Sequence, residues 1–268
     1  MTGFSSEKDL IDLADLHYQN KEYYNSITEA MRYQYFYPEG VFIPQSMIIM
    51  GKAYYKGGNK DKALKILGEC FNMYTNKPEG EYALFYSGLM RLEAGSYNFA
   101  ARNFYEYLFI YEKGKLKEEV YINLSLAHAL AENYDDAQKK LEEYRKIFPE
   151  GVMKDKAEKL AQSIAEVKER PEKSLFLAGL SSAIIPGSGY FYTEKYMLGL
   201  FSFCTNAALI YGIYDGYKKN NKFQMIFFSV IEFSFYNYSI VGSVKSADEY
   251  NRAEDFKKEV LMGIKTSF

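Results

Sequence analysis

Three long apolar runs crowd residues 174–244, and nothing else in the chain limits its architecture as much. Residues 174–193 carry no charge across 20 positions, residues 196–214 none across 19, and residues 223–244 a single one, Glu232, in 22. About 20 apolar residues suffice for a helix to cross a bilayer, so each run is long enough alone. Short charged segments separate them, Glu194-Lys195 and then residues 215–222. The expected organisation is a soluble module over 1–168, a linker over 169–174, a membrane-embedded helical domain over 175–245 and a polar C-terminal tail over 246–268. The competing reading is a helical hairpin buried in a soluble core.

Composition removes several function classes. The net charge is −2, which leaves no broad basic surface for nucleic acid. Two histidines and two cysteines are too few to suggest a metal site or a catalytic dyad, so no cofactor and no enzyme activity are expected. Cys70 belongs to a predicted soluble helix and Cys204 to a predicted membrane helix, so they are not expected to pair. The first residues lead directly into polar sequence, without the pattern of a cleaved signal.

The first half repeats with a period of 37 residues. Small residues recur at Ala14, Gly51, Gly88 and Ser125, and twelve positions later at Ser26, Ala63, Ala100 and Ala137. Bulky residues follow at Ala30, Leu67, Phe104 and Leu141 (alanine in the first unit), then at Tyr33, Cys70, Tyr107 and Tyr144. Two antiparallel helices need small residues where their backbones approach, and the positions three and four further on share that face. Asn20-Lys21-Glu22, Gly57-Gly58-Asn59, Ala94-Gly95-Ser96 and Glu132-Asn133 read as the turns, and Pro38 and Pro149 as stops. Residues 153–167 show one further amphipathic helix, suited to cap a solenoid.

The segments LADLHYQNKEYYNSITEAMRYQYFYP and LSLAHALAENYDDAQKKLEEYRKIFP resemble tetratricopeptide repeats. The resemblance covers about residues 8–150 as four units. It departs in length, 37 residues against the usual 34, and in lacking an early Trp, where Leu10, Met47, Leu84 and Tyr121 stand. It implies an all-α fold: a solenoid of about four helical hairpins with a cap helix, followed by a helical membrane domain. That domain holds either a re-entrant segment and two transmembrane helices or three transmembrane helices. The resemblance also implies a protein or peptide partner, bound in a concave face lined by first helices. On this chain that face is expected to carry Ile11, Asp15, Tyr18, Ile48, Lys52, Tyr55, Phe85, Leu89, Leu92, Ile122 and Leu126. Its last two units are the more apolar. They could take an amphipathic segment or be covered by the chain itself. His17 and His128 occupy equivalent positions, which argues for packing.

Within the apolar block, Pro186 and the glycines after it break the first run two-thirds along, pointing to a re-entrant or interfacial segment. Tyr190, Phe191, Tyr192 and Tyr196 form an aromatic cluster of the headgroup type. The block is similar to small bacterial membrane domains opening Pro-Gly-x-Gly-x-x-Tyr, matched by Pro186, Gly187, Gly189 and Tyr192 and by the placement of Asn206 and Asp215. The similarity implies an envelope membrane domain following tetratricopeptide-like repeats, with no catalysis. Some such proteins are linked with membrane-protein insertion efficiency factors, whose Cys-rich signature is absent here. Glu232 is expected to bond Asn206 or a tyrosine hydroxyl, since no intramembrane base offers a relay.

With a re-entrant first run, Lys and Arg outnumber those of the 218–222 turn on the side of the repeats, which places the repeats in the cytoplasm. With three crossings the count decides nothing, and the resemblance to proteins that often start with export signals argues for the opposite side, so the side of the repeats stays open. The expected function is a membrane-anchored scaffold that recruits a protein partner at the bacterial envelope, in the inner membrane. A transport or enzyme component built on Glu232 and Asp215, and a soluble adaptor, are the rivals.

Overall fold

The computed structural model describes residues 6–254 and residue 256, and all regular structure among them is helical. The chain divides into two compact units, Met1–Ala165 and Glu166–Phe268.

The first unit is a solenoid of four hairpins and a closing helix. The hairpins pair α1 (Glu7–Gln19) with α2 (Tyr23–Phe36), α3 (Ile43–Lys56) with α4 (Lys60–Tyr74), α5 (Pro78–Glu93) with α6 (Tyr97–Ile110), and α7 (Lys117–Leu130) with α8 (Tyr134–Ile147). The second helices start at 23, 60, 97 and 134, the 37-residue period of the sequence. Small residues stand where the period placed them. Gly51 faces Leu67 and Gly88 faces Phe104 too closely for a Cβ, and Ser125 Oγ donates to the Ala137 carbonyl at 2.9 Å. α9 (Lys154–Glu169) buries one face, Ala157, Leu160 and Ile164, and begins within a residue of the expected cap.

First helices touch their successors, α1 with α3, α3 with α5 and α5 with α7, as well as their hairpin partners. They are therefore the inner layer. α7 buries nine of its 14 residues and α8 three, the signature of a helix packed on two sides beside one packed on a single face.

A polar latch recurs between repeats. Tyr33 donates its hydroxyl hydrogen to Glu7 and accepts from the Phe42 N–H at 3.0 Å. Tyr107 does the same with Glu81 and the Leu116 N–H, and Tyr144 donates to Glu118 at 3.1 Å. The Glu81 and Glu118 carboxylates also accept from Leu116 N–H at 3.2 Å and Met153 N–H at 3.3 Å. Gly40, Gly114 and Gly151 lie against the three tyrosine hydroxyls, with no room for a Cβ. In the second repeat all three positions change together, to Pro44, Cys70 and Lys77. There the Cys70 thiol points to the Pro44 carbonyl at 3.7 Å instead.

The second unit comprises α10 (Leu175–Ile184), α11 (Ser188–Tyr192), α12 (Tyr196–Lys218) and α13 (Lys222–Asn251). α12 and α13 are antiparallel: Ser202 meets Ser239 at 3.0 Å, and Gly212 packs on the Phe228 ring. α13 runs on past the apolar stretch, so residues 246–251, expected to open a polar tail, continue the helix and bury Ser246 and Ala247. The remainder of that tail from 257 lies outside the described residues.

Candidate functional site

The first candidate is the inner face of the solenoid. The structure buries six of the eleven residues expected to line it: Ile11, Tyr55, Phe85, Leu92, Ile122 and Leu126. These six are buried in the packing of the solenoid, which leaves five of the expected residues with accessible surface. Asp15, Tyr18, Ile48, Lys52 and Leu89 remain partly exposed. The apolar character of the last two units thus serves packing, and the accessible part of the face lies on α1, α3 and α5.

Lys52 is the centre of that part. Its ammonium lies 4.7 Å from the Tyr18 ring centroid and 5.1 Å from that of Tyr86, so it bridges three successive first helices. Both distances are within the range of cation–π attraction. Among the described residues no carboxylate lies within ion-pair distance of it. Burial pulls its pKa down, while Asp15 pulls it back up. Burial pushes the Tyr18 hydroxyl up to about 12, so the site keeps a neutral phenol beside the cation. Tyr86, absent from the expected set, stacks on Tyr82 and completes the cage. Its signal was the 34-residue step to Lys52 and Tyr18, which the 37-residue register hides. This arrangement can receive an acidic or amphipathic segment, a role for which it holds one desolvated positive charge flanked by aromatic faces.

The histidines are not core residues. His17 bonds Glu22 and His128 bonds the Tyr105 hydroxyl at 2.9 Å, each half-exposed. Among the described residues no His, Cys, Asp and Glu cluster could hold a metal.

The second candidate is the apolar unit. The Pro-Gly-x-Gly-x-x-Tyr residues are all structural there. Pro186 stands between α10 and α11. Gly187 has φ +90°, and its N–H donates to Ser239 Oγ at 2.7 Å. The Gly189 N–H donates to Ser182 Oγ at 2.9 Å, and Ser182 Oγ meets Ser243 Oγ at 2.7 Å. The Tyr192 hydroxyl accepts from the Ser174 N–H at 3.1 Å. α10 descends antiparallel to α13 from the Lys173–Asn251 pair to Ala183, whose carbonyl accepts from the Tyr236 hydroxyl at 2.7 Å. α11 then returns, and Thr193 Oγ1 meets Ser246 Oγ at 2.6 Å. The first apolar run therefore covers only the last half of α13 and comes back to the end it started from.

Charged groups gather at the two ends. Lys173–Glu194 (3.3 Å), Lys195–Glu249 and Arg252–Asp248 (2.8 Å) form one collar. Asp215, accepting from Lys219 at 2.8 Å and Gln224 at 3.0 Å, forms the other with Lys218 and Lys222. The 19 uncharged residues between them on α12 rise about 28 Å, near the thickness of a hydrocarbon core. Only 17% of the most apolar stretch of α12 and 6% of that of α13 is buried inside the protein.

Asn206 is buried and donates to the Ser202 carbonyl at 2.7 Å, leaving its Oδ1 without a partner among the described residues. Glu232 is half-exposed, and the bond expected from it to Asn206 or a tyrosine is not formed. Its register explains this: α12 position 206 falls level with α13 position 235, almost a turn away. Glu232 and Asp215 lie at different depths along the hairpin and do not form one site.

Residues 5–94 match the sequence model of a family described as YfiO, outer membrane lipoprotein; the match covers less than half of the chain. A solved tetratricopeptide repeat protein from Parabacteroides merdae ATCC 43184 superposes on 97% of this chain and 99% of its own, with a TM-score of 0.51 and 13% identity. No curated protein matches the chain. With the hairpin register above, the structural likeness shows a tetratricopeptide-repeat fold, followed by a second unit that is all helical among the described residues.

Proposed function

We propose that this chain is a membrane-anchored scaffold, with α12 and α13 crossing a bacterial envelope membrane and the solenoid binding a protein or peptide partner without chemistry. The observation that carries the reading is the bare apolar length of α12 and α13, closed at both ends by charge. In water those surfaces would aggregate, whereas in lipid they are solvated. A soluble adaptor would bury them. The envelope assignment draws on the lipoprotein family matched by residues 5–94.

The returning α10–α11 pair supports two crossings, with residues 173 and 251 on one side and the 218–222 turn on the other. Lys168, Arg170, Lys173, Lys195, Lys245 and Arg252 then face Lys218, Lys219 and Lys222. The positive-inside rule puts the solenoid in the cytoplasm, on the inner membrane. In fractionated cells the full chain is expected to pellet with membranes. Its solenoid should resist added protease in spheroplasts and be cut after lysis. Cutting before lysis moves the solenoid to the outer side, and a chain that stays in the supernatant removes the anchor altogether.

The partner site is the exposed face around Lys52. A photo-crosslinking residue at Ile48 should give a discrete adduct in cells. Lys52→Glu, which reverses the cage charge, should reduce that adduct roughly tenfold, the scale of losing one desolvated charge-assisted contact. Lys139→Glu on the outer helix α8 should leave it unchanged. Equal adducts in both variants would place binding elsewhere.

A further inference from the structure

The solenoid's inter-repeat edge carries an exposed apolar row that no packing explains. Phe36, Met73, Ile110 and Ile147 stand 37 residues apart, at or next to the ends of α2, α4, α6 and α8, and 38–65% of each is exposed. Further exposed apolar residues flank the row, Tyr35 and Val41 in the first hairpin, 81% and 76% exposed, and their repeat counterparts Phe109, 88%, and Val152, in the loop after α8, 90%. The opposite edge differs. Its turns are made of Asn20-Lys21-Glu22, Gly57-Gly58-Asn59, Ala94-Gly95-Ser96 and Glu132-Asn133, with Leu16, Tyr24 and Phe99 as the exposed apolar residues nearby.

Charge is what distinguishes the third and fourth hairpins. Lys113 and Lys115 follow Ile110, and Arg145 and Lys146 precede Ile147. None of these four cations has an acidic partner among the described residues. Of the nearby carboxylates, Glu150 is taken by Lys154 at 3.7 Å, and Glu112 stands beside the lysines. Exposed aromatic and aliphatic side chains flanked by free bases match the boundary of an anionic bilayer, where apolar groups enter among the acyl chains and bases stay with the phosphates. The chain also limits how far this edge can stray. Five residues, 170–174, join α9 to α10, and fully extended they reach about 20 Å.

We propose that the inter-repeat edge of the third and fourth hairpins rests on the surface of an anionic bilayer, inserting Phe109 and Val152 between headgroups. The proposal relies on the membrane reading of α12 and α13 and adds a second, peripheral contact to it.

The test uses the full chain in nanodiscs of phosphatidylcholine and phosphatidylglycerol, in a Cys70→Ala, Cys204→Ser background. A bimane fluorophore is placed at Phe109→Cys, Val152→Cys or Asn98→Cys, the last near the opposite end of α6. Lipids carrying a doxyl quencher near the headgroup should quench the first two at least about twofold more than the third. Replacing phosphatidylglycerol by phosphatidylcholine, or adding Lys113→Glu with Lys115→Glu, should remove the difference. Equal quenching at all three positions overturns the proposal. So does shielding of Phe109→Cys that grows with protein concentration in lipid-free detergent, which would mean a second copy covers the edge. A label on the native Cys204 separates the two readings. If acyl-chain quenchers reach Cys204 but headgroup quenchers do not reach position 109, only the edge contact falls. If they reach neither, the membrane reading falls too.

Discussion

Glu81→Ala is expected to cost the solenoid about 3 kcal/mol, among the largest losses available from one polar side chain in this unit. The Glu81 carboxylate accepts from the Tyr107 hydroxyl and the Leu116 N–H, and Glu81 and Tyr107 are both buried. Removing it orphans a buried donor and loosens the loop that starts the fourth hairpin. Tyr107→Phe should cost less, because the same change removes the donor that would be stranded. The double variant should fall short of the sum by about 1–2 kcal/mol, the coupling expected of a direct charge-assisted bond. Chemical melts followed by far-ultraviolet circular dichroism read all three. Additive losses would mean that the latch is ornamental. The second repeat offers the converse. Cys70→Tyr alone should destabilise, since it sets a phenol against Pro44 and Lys77. Adding Pro44→Glu and Lys77→Gly should recover most of that loss by building the missing latch. Burial pushes the Tyr33, Tyr107 and Tyr144 hydroxyls above their ordinary value of 10.0, the last to about 12. A raised acid favours the folded state only while it is protonated. The latch contribution is therefore complete below pH 10 and falls away as the pH rises above 10, for Tyr144 over the range up to about 12. The drop in melting midpoint from pH 8 to pH 11 should shrink in Tyr107→Phe.

The latch also shows how unevenly the sequence can be read. The hairpins were legible because their signal is periodic: small residues at Gly51 and Gly88 recur at the spacing the backbones require. The latch was equally periodic, with Glu7, Glu81 and Glu118 each 26 residues before a tyrosine. Its clearest mark was the joint change to Pro44, Cys70 and Lys77 in one repeat. A tyrosine read as bulk conceals a tyrosine acting as a donor. The groove was less legible for a different reason. Helical spacing finds the face of α5 or α7 that holds Phe85 and Ile122 but cannot separate the open face from the flanks pressed on neighbouring first helices. In the apolar unit, length was in the sequence and register was not. Asn206 and Glu232 are both polar residues in apolar helices, yet the pairing of Ser202 with Ser239 and of Gly212 with Phe228 leaves them almost a turn apart.

Gly189→Ala is expected to release the α10–α11 pair from α13 while the chain stays in the membrane. A Cβ at position 189 would run into the Ala178 carbonyl and the Ser243 side chain, one of them backbone that cannot rotate away. It would also part the Gly189 N–H from Ser182 Oγ and open the Ser182–Ser243 contact, exposing hydroxyls that apolar surroundings cannot satisfy. Gly187→Ala joins two penalties. Its φ of +90° costs an L-residue about 1–3 kcal/mol, and its Cβ would meet the Gly199 carbonyl of α12. Gly242→Ala is the contrast. Its Cβ would meet only the end of the Tyr190 side chain, which can swing aside at a smaller cost. The ordering Gly189 and Gly187 well above Gly242 should appear in thermal unfolding of the chain in detergent. New thiol reactivity at Ser182→Cys should accompany the two severe variants. Membrane pelleting should persist in all of them, because α12 and α13 keep their length and apolar surface. Were pelleting lost with Gly189→Ala, the α10–α11 pair would have to be part of the anchor itself. Were stability unchanged, the Pro-Gly-x-Gly-x-x-Tyr segment would have a role other than holding this crossing closed.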